Sequence, residues 1–381
     1  MGKIKVMHCS DFHFDTPFSG LDKDKAEQRR EELRENFSSI IRVAKENNVQ
    51  VMLMAGDLFD GNAVSYETIS LIQNRLRDIP EIKVFISPGN HDPFVERSYY
   101  NAVQWPSNVY IFRNYWGKVD VDELNLTVYG RGFGTSYEKE SFLKGFTVED
   151  SSRINIMVIH GEVVTAGGAS VYNPVNEKEI EKSGLDYLAL GHVHTCSGIR
   201  RAGNSCWSYS GCPEGRGFDE QGPKGVLLGE VGKNLVKLDF IETCRRRYMV
   251  HEVDITGCQN YEDILLKLGE PLGIKDLESG FSPRDIYKLI LKGEISKEFT
   301  INTSVICEKL KYYFYMVKAV DDTRKTIDYQ ALSQEYTLKG IFVNKMLNKL
   351  KAAVDETERN RLEKALKLGL NALELREGKL E

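Results

Sequence analysis

The chain has 381 residues, of which 41% are hydrophobic and 28% are charged, and its formal net charge is −5. The length suits two or three domains of ordinary globular composition. The acidic balance excludes a generic nucleic-acid coating protein, which would be basic, although a DNA enzyme needs only a positive groove. No apolar stretch in the sequence is long enough to span a bilayer, and the first residues lack the features of a signal peptide. We therefore expect a cytoplasmic protein.

The first 240 residues alternate apolar, strand-like runs with polar loops and amphipathic helices. Apolar residues recur at helical spacing in Arg30–Asn47, and a second helix is predicted over Tyr66–Arg77. The order strand, helix, strand, helix, strand predicts a layered α/β domain. After this part, Ser197–Phe240 is rich in glycine and in alternating residues, which predicts antiparallel strands with tight turns.

A change in composition near Thr243 predicts further domains. Residues 248–325 have the pattern of a small α+β module, and residues 330–381 have a helical pattern. We therefore predict three regions, 1–245, 248–325 and 330–381. The helical region carries apolar stripes over Ile341–Leu350 and Leu362–Leu373, which either pack on the protein itself or dock on a partner.

Five short polar motifs each follow an apolar, strand-like run. The motifs are Asp11-Phe12-His13, Gly56-Asp57, Gly89-Asn90-His91-Asp92, His160-Gly161 and Gly191-His192-Val193-His194. Each motif alone is more often a turn than a site, but five in this order are hard to obtain by chance. Because strands that end in polar ligands describe the carboxyl edge of a sheet, we expect the motifs to form one site.

Seven side chains of these motifs carry atoms that bind metal ions. They are Asp11, His13, Asp57, Asn90, His160, His192 and His194. The set fits two divalent cations about 3.5–4 Å apart that share the carboxylate of Asp57. Imidazole and carboxylate without thiolate indicate Mn²⁺, Fe²⁺ or Zn²⁺, whereas Mg²⁺ and Ca²⁺ prefer oxygen ligands. Such a positive site would attract a phosphate ester and activate water for attack on phosphorus.

We also predict roles for other polar and charged residues, some of which lie near these motifs. His91 follows the ligand Asn90, so we expect it to face the substrate and to protonate the leaving oxygen or stabilise its charge. Asp92 is predicted to orient the His91 ring, and Asp60 is a weaker candidate for the same neighbourhood. The basic run Arg245, Arg246 and Arg247 is either a solvated face or a contact for DNA phosphates.

The five motifs in this order resemble those of the calcineurin-like metallophosphoesterases. The stretches between them, such as SDFHFDTPFSGL from Ser10 and WPSNVYIF from Trp105, are similar to SbcD-type DNA repair nucleases. Within that group, the chain is most similar to the bacterial DNA repair exonuclease subfamily YhaO. The resemblance implies an α/β/β/α sandwich with a small α+β cap domain and a helical C-terminal tail.

The resemblance also implies roles for individual residues. One metal would be held by Asp11, His13, Asp57 and His194, the other by Asp57, Asn90, His160 and His192, and His91 would be catalytic. The implied activity is that of a Mn²⁺-type phosphodiesterase in DNA repair, a 3′-to-5′ exonuclease with single-strand endonuclease activity. The module at 248–325 would face DNA, and the partner would be an SMC-like coiled-coil ATPase. The resemblance leaves open whether the protein forms a homodimer.

Two other functions compete with this interpretation. A phosphatase or a cyclic-nucleotide phosphodiesterase could use the same site, but a small substrate requires neither the cap module nor the helical tail. A binding protein with a structural metal site is the third interpretation. The intact ligand set and the presence of His91 argue against it.

Overall fold

The computed structural model describes residues 2–61, 63–165, 168–269, 272 and 284–377. The chain divides into two compact units. Unit 1 consists of residues 1–250, 281–288 and 311–317, and unit 2 consists of residues 251–280, 289–310 and 318–381. The three regions predicted from the sequence, 1–245, 248–325 and 330–381, stay a prediction. Residues 273–283 of the predicted middle region and residues 378–381 of the predicted tail lie outside the described residues.

The strands of the described residues are numbered in chain order. Strands β1 to β17 are Lys3–Cys9, Val51–Met54, Lys83–Ile86, Val109–Ile111, Gly117–Val121, Leu126–Arg131, Ile154–His160, Glu162–Val164, Pro174–Asn176, Tyr187–Gly191, Arg200–Ala202, Ser205–Tyr209, Gly225–Gly232, Leu235–Glu242, Tyr248–Asp254, Ile286–Ile295 and Met316–Lys325.

The helices are numbered in the same way. Helices α1 to α9 are Lys23–Glu46, Tyr66–Arg77, Tyr99–Ala102, Glu177–Ser183, Tyr261–Gly269, Thr303–Leu310, Tyr329–Leu332, Leu338–Ala352 and Glu356–Glu377, and a 3₁₀ turn covers Asp122–Leu124. Helix α2 has the predicted bounds. Helix α1 begins seven residues earlier than predicted, because Asp22 caps it by accepting a hydrogen bond from the backbone of Lys25.

Two six-stranded sheets form the framework of unit 1. The first has the order β14-β13-β1-β2-β3-β4, and its strands β1 to β4 are parallel. The second has the order β11-β12-β10-β7-β6-β5, in which β6, β7, β10 and β12 are parallel. Antiparallel strands form one edge of the first sheet, β13 and β14, and both edges of the second sheet, β11 and β5. The antiparallel pairs β11–β12 and β13–β14 agree with the glycine-rich pattern after residue 197.

Alternating side chains of β1 separate two hydrophobic cores. Ile4 and Val6 belong to a core that also contains residues of the second sheet, such as Val128 and Ile156. Met7 and Cys9 point the other way and pack with apolar residues of α1 and α2. Because strand side chains alternate between faces, this pattern requires a covered sheet on both sides. The predicted layered α/β fold is confirmed.

The sheets bring the predicted motifs to strand ends. Asp11 and His13 follow β1, Asp57 follows β2, and Asn90 follows β3, three parallel neighbours in the first sheet. In the second sheet, His160 ends β7 and His192 follows β10, and these two strands are paired in parallel. Parallel strands present their carboxyl ends at one edge, which is where open α/β sheets bind ligands.

In unit 2, helices α8 and α9 form an antiparallel pair that we call the C-terminal hairpin. Its core consists of Val343 and Met346 from α8 with Leu366 and Leu370 from α9. The two predicted apolar stripes thus pack largely against each other, although Ile341 lies exposed on the outside. Among the helices of the described residues, none has the length and apolar character that crossing a membrane requires.

Candidate metal centre

The predicted ligands converge on one buried site. Asp11, His13 and His194 each place one ligand atom within 4.8 Å of the others, and Asp11, Asp57 and His160 do the same. In the first cluster, Nε2 of His13 lies 3.3 Å from Nε2 of His194, which lies 3.7 Å from Oδ1 of Asp11. Five side chains from four strand ends are therefore spaced closely enough to share cations.

A second cluster surrounds the amide oxygen of Asn90. This oxygen lies 2.9 Å from Nε2 of His160 and 3.3 Å from Nδ1 of His192. The rings of His160 and His192 meet edge to face at 5.2 Å, and the ring of Tyr172 covers His192 at 4.8 Å. The structure thus brings all seven predicted ligands into the two clusters.

The carboxylate of Asp57 lies between the clusters. Its Oδ2 is 3.6 Å from Nε2 of His13 and 3.4 Å from Nε2 of His160. Its Oδ1 accepts a hydrogen bond from the backbone of His91 at 3.0 Å. Burial and the nearby charge of Asp92 raise the pKa of Asp57 to about 7, which shows that the protein alone does not compensate this charge.

The tautomers of the histidines test whether the site fits cations. Nδ1 of His160 faces the backbone carbonyl of Ala55 at 3.0 Å and must donate to it, so Nε2 carries a lone pair. That lone pair points at the oxygens of Asn90 and Asp57. Lone pairs that face one another in a buried site are satisfied by a cation between them, so these residues fit a metal centre.

Burial favours the neutral form of three of the four predicted imidazole ligands. Burial lowers the pKa of His13 to about 3 and that of His192 to about 3. Burial also lowers the pKa of His160. Neutral imidazole is the form that binds metal ions, so burial favours the binding form of these three side chains. The fourth, His194, differs, because the hydrogen bond with Glu220 and the charge of Asp11 raise its pKa against the effect of burial.

Strained backbone accompanies the ligands. Asp11, His13, Asp57 and His192 have φ values of 56°, 48°, 50° and 107°, in the region that residues with a side chain rarely adopt. Such conformations cost on the order of 1–3 kcal/mol each and cluster at functional sites. Four strained residues among seven predicted ligands support a functional role for this edge.

Two glycines let the motifs approach closely. A Cβ atom on Gly89 would lie 2.2 Å from Oδ1 of Asp57, and one on Gly191 would lie 1.8 Å from the carbonyl oxygen of Ala55. Both distances are far below van der Waals contact. The glycines in the Gly-Asn-His-Asp and Gly-His-Val-His motifs are therefore part of the packing of the site.

The sequence analysis missed an outer partner of the site, Glu220. Oε1 of Glu220 accepts a hydrogen bond from Nδ1 of His194 at 2.6 Å, which directs Nε2 of His194 toward the first cluster. Burial opposes ionisation of Glu220, but the bond from His194 and the charge of Arg216 hold its pKa well below the ordinary value. Glu220 lies in a glycine-rich loop 26 residues after His194, and nothing local distinguishes it from a solvated acid.

His91 lies beside the centre and is 45% exposed. Its Nδ1 is 3.0 Å from Oδ1 of Asp60, and the same carboxylate lies 3.4 Å from Nδ1 of His13. The hydrogen bond with Asp60 raises the pKa of His91. Asp60, the weaker of the sequence candidates, therefore occupies the position next to the imidazole.

Asp92 has a different place from the one predicted. Its carboxylate is buried and accepts hydrogen bonds from the backbone of Gly89 at 2.7 Å, from that of Leu58 at 2.7 Å and from the hydroxyl of Tyr100. The expected contact with the His91 ring is thus made by Asp60, because Asp92 ties the loops after β2 and β3 together. Its side chain turns toward backbone amides that have no other acceptor.

The three consecutive arginines pair with carboxylates of unit 1. Arg245 pairs with Glu35, Arg246 pairs with Glu32 at 2.6 Å, and Arg247 pairs with Glu242 at 2.7 Å. The guanidinium of Arg246 also lies 3.5 Å from the ring centre of Tyr315. These pairs account for the basic run without DNA, and DNA contact by Arg245, Arg246 and Arg247 stays a prediction.

Comparisons with known proteins agree with the geometry. A sequence model of the family described as calcineurin-like phosphoesterase matches residues 4–196, a range that includes all seven predicted ligands. The chain is 26% identical over 304 residues to the uncharacterized metallophosphoesterase YhaO of Bacillus subtilis, covering 74% of this chain and 72% of that protein.

Two further similar proteins are named as DNA repair proteins. The DNA double-strand break repair protein Mre11 of Methanopyrus kandleri is 22% identical over 316 residues, covering 76% of this chain and 68% of that protein. The protein of the same name from Saccharolobus solfataricus is 22% identical over 339 residues, with coverage of 85% and 84%.

Proposed function

This chain belongs to the calcineurin-like phosphoesterase family, whose members use a dimetal centre, and we propose that it is a metal-dependent phosphodiesterase that cleaves DNA. The observation that carries the proposal is the convergence of the seven predicted ligands, with a partly exposed imidazole, His91, beside them. The similarity to two DNA double-strand break repair proteins over most of the chain supports DNA as the substrate.

The ligand types support a choice of metal. Four imidazoles, two carboxylates and one amide, without thiolate, favour Mn²⁺ and also accept Fe²⁺ or Zn²⁺. We propose Mn²⁺. When bound, the ions would supply positive charge and Lewis acidity next to the substrate phosphorus. In the protein itself, Asp57 joins the two clusters, so both clusters respond to a change at this carboxylate.

His91 is proposed to donate a proton to the leaving group. Its Nδ1 is engaged by Asp60, so Nε2 is the atom that can donate a proton to the leaving oxygen. The hydrogen bond with Asp60 raises the pKa of the imidazole, which is the direction that a proton donor requires. Asp60 is proposed to hold this ring, the role predicted for Asp92.

The proposed biological activity is 3′-to-5′ exonuclease and single-strand endonuclease action in DNA repair, with an SMC-like coiled-coil ATPase as partner. Exposed apolar side chains on the C-terminal hairpin, namely Leu338, Ile341 and Leu368, support a protein partner. Residues 248–325 are proposed to position DNA. A homodimer is compatible with these roles.

The test compares two substrates. The full chain, purified and loaded with Mn²⁺, is incubated with end-labelled duplex and single-stranded DNA, and in parallel with bis(p-nitrophenyl) phosphate. We expect Mn²⁺-dependent hydrolysis of both, with mononucleotides released from 3′ ends. Hydrolysis of the small diester with intact DNA would contradict the proposal and would favour a phosphatase or a cyclic-nucleotide phosphodiesterase.

The variant His91→Asn separates chemistry from metal binding. It is expected to keep both metals and to lose roughly 10²–10⁴-fold in kcat, the range for a general acid or charge stabiliser. Metal content by mass spectrometry and kcat on DNA provide the readout, because the p-nitrophenolate of the small diester leaves without a proton. Loss of metal from this variant would make His91 a ligand instead.

A further inference from the structure

The segment from Cys212 to Lys224 surrounds the ligand His194. The carbonyl oxygen of His194 accepts hydrogen bonds from Nζ of Lys224 at 2.7 Å and from the backbone of Cys212 at 3.4 Å. The ring of His194 donates from Nδ1 to Glu220 at 2.6 Å. Main chain and side chain of this ligand are thus both held by one loop, which we call the 212–224 loop.

Glu220 organises the charged groups of the 212–224 loop. Its Oε1 accepts from Nδ1 of His194 and, at 2.8 Å, from Nη2 of Arg216. Its Oε2 accepts from the backbone of Arg216 at 2.7 Å. One carboxylate therefore couples the orientation of a metal ligand to the position of a guanidinium.

Arg216 is more than a counter-ion for Glu220. Its Nη2 lies 3.1 Å from Nδ1 of His194, and its charge acts on His13, His91 and Asp60. The side chain remains 19% exposed. Within the described part of the chain, Nη1 of Arg216 makes no hydrogen bond, so a donor is left at the rim of the centre.

We propose that Arg216 is a substrate-binding residue of the phosphoesterase site, which donates to the non-bridging oxygens of the substrate phosphate, and that Glu220 is its positioning residue. A guanidinium suits this role because its planar, always charged donors match phosphate oxygens. Gly215 and Gly217 flank Arg216 in the 212–224 loop.

The proposal rests on phosphoester hydrolysis at this centre, and it holds whichever phosphodiester is the natural substrate. It predicts that Arg216 contributes to anion affinity separately from metal binding. Replacement of Arg216 by methionine removes the charge and keeps most of the side-chain length. We expect kcat/KM to fall roughly 10- to 100-fold, the range for a charge-assisted hydrogen bond to phosphate.

The experiment uses the Mn²⁺-loaded full chain. Metal content is measured first, then the dissociation constant of inorganic phosphate by calorimetry, and then KM and kcat with bis(p-nitrophenyl) phosphate. Arg216→Met is expected to retain its metals and to bind phosphate about 10- to 100-fold more weakly, with the effect mainly in KM. The matched control is Arg42→Met, since Arg42 is an exposed arginine on α1 and should behave as the wild type.

Three results would overturn the proposal. The first is wild-type phosphate affinity and wild-type KM in Arg216→Met. The second is a loss of metal that parallels the loss of activity, because Arg216 would then act only through His194. The third result applies if the methionine variant misfolds, and it is phosphate binding by Arg216→Lys that is less than about threefold weaker than that of the wild type. The proposal requires a larger loss in Arg216→Lys, because one ammonium cannot both pair with Glu220 and reach the anion.

Failure of the proposed function would look different from failure of this proposal. If wild-type protein leaves DNA intact, the DNA assignment is lost, while the phosphate affinities of the wild type and the Arg216 variants still decide the role of Arg216. If wild-type protein cleaves DNA and Arg216→Met binds phosphate as tightly as the wild type, only the role of Arg216 is lost.

Discussion

The candidate metal centre and the C-terminal hairpin bury their side chains for opposite reasons. The centre buries charged and polar ligands such as Asp11, Asp57 and His13 on strained backbone, whereas the hairpin buries apolar residues such as Leu366 and Leu370 between two regular helices. Burial of a charge costs free energy unless a partner compensates it, and burial of a leucine is favourable by itself. The centre should therefore depend on bound metal, and the hairpin should not.

The largest expected effect is at Asp57. Asp57→Asn removes the charge shared by both clusters, so we expect loss of one or both metals and a fall in activity of at least about 10³-fold. The metal-free variant should be at least as stable as the metal-free wild type at pH 8, because it no longer buries a charge whose pKa is raised to about 7. Metal analysis and thermal melts check both points.

The control for Asp57→Asn is Asp239→Asn. Because Asp239 is an exposed aspartate on β14, this variant should change neither the metal content nor the thermal stability. Full loading of Asp57→Asn with two metals would show that Asp57 does not join the clusters, and the contrast between the two regions would lose its main support.

A second prediction tests packing at the centre without removing a ligand. In Gly89→Ala the added Cβ would meet Oδ1 of Asp57 at 2.2 Å, so the carboxylate must move. We expect metal affinity to fall about 10- to 100-fold, as for loss of a supporting contact. Gly20→Ala is the control, since a Cβ there meets nothing within 4 Å. Equal metal affinity in both variants, measured by competition with a chelator, would refute the packing argument.

The hairpin offers a matched pair on one helix. Leu370 is 1% exposed and Leu368 is 61% exposed. Leu370→Ala is expected to destabilise α8 and α9 by about 2–5 kcal/mol, and Leu368→Ala by less than about 0.5 kcal/mol. Amide hydrogen exchange in these helices measures both values. Hydrolysis of the small diester should stay unchanged in both variants, and a parallel loss would show that the hairpin supports the site.

The smallest expected effect concerns His8, a buried imidazole of β1 that is not a ligand. Its Nδ1 lies 2.8 Å from the hydroxyl of Tyr187, and burial lowers its pKa to about 3. Between that value and the ordinary pKa near 6.5, the unfolded chain binds a proton that the folded chain does not, so stability falls as pH decreases. This residue contributes up to about 1.4 kcal/mol per pH unit.

Denaturant unfolding of metal-free protein from pH 7 to pH 5 measures this slope. His8→Leu should reduce this slope by the share of one histidine, because His13 and His192, whose pKa values are also lowered to about 3, still contribute. Tyr187→Phe should keep the slope, because the imidazole remains buried. An identical slope in wild type and His8→Leu would mean that His8 is protonated in the folded protein.

Much of the site could be predicted because each ligand follows a strand-like run. Parallel strands end at a common edge, so the sequence order of Asp11, Asp57, Asn90 and His160 was enough to predict their convergence. The partner of His91 could not be predicted in this way. Asp92 is adjacent in sequence, but its side chain turns to the backbone of Gly89 and Leu58, and Asp60 from another loop takes the position.

The sequence by itself determined the layered α/β class, the bounds of α2 and the chemical nature of the ligands, because hydrophobic periodicity and side-chain chemistry are local properties. Only the tertiary structure decided which charged groups meet. Glu220 contacts His194 across 26 residues, and Arg246 contacts Glu32 across 214 residues. Such pairs depend on how loops close over the sheets and on the direction of each side chain, and neither follows from the spacing of residues along the chain.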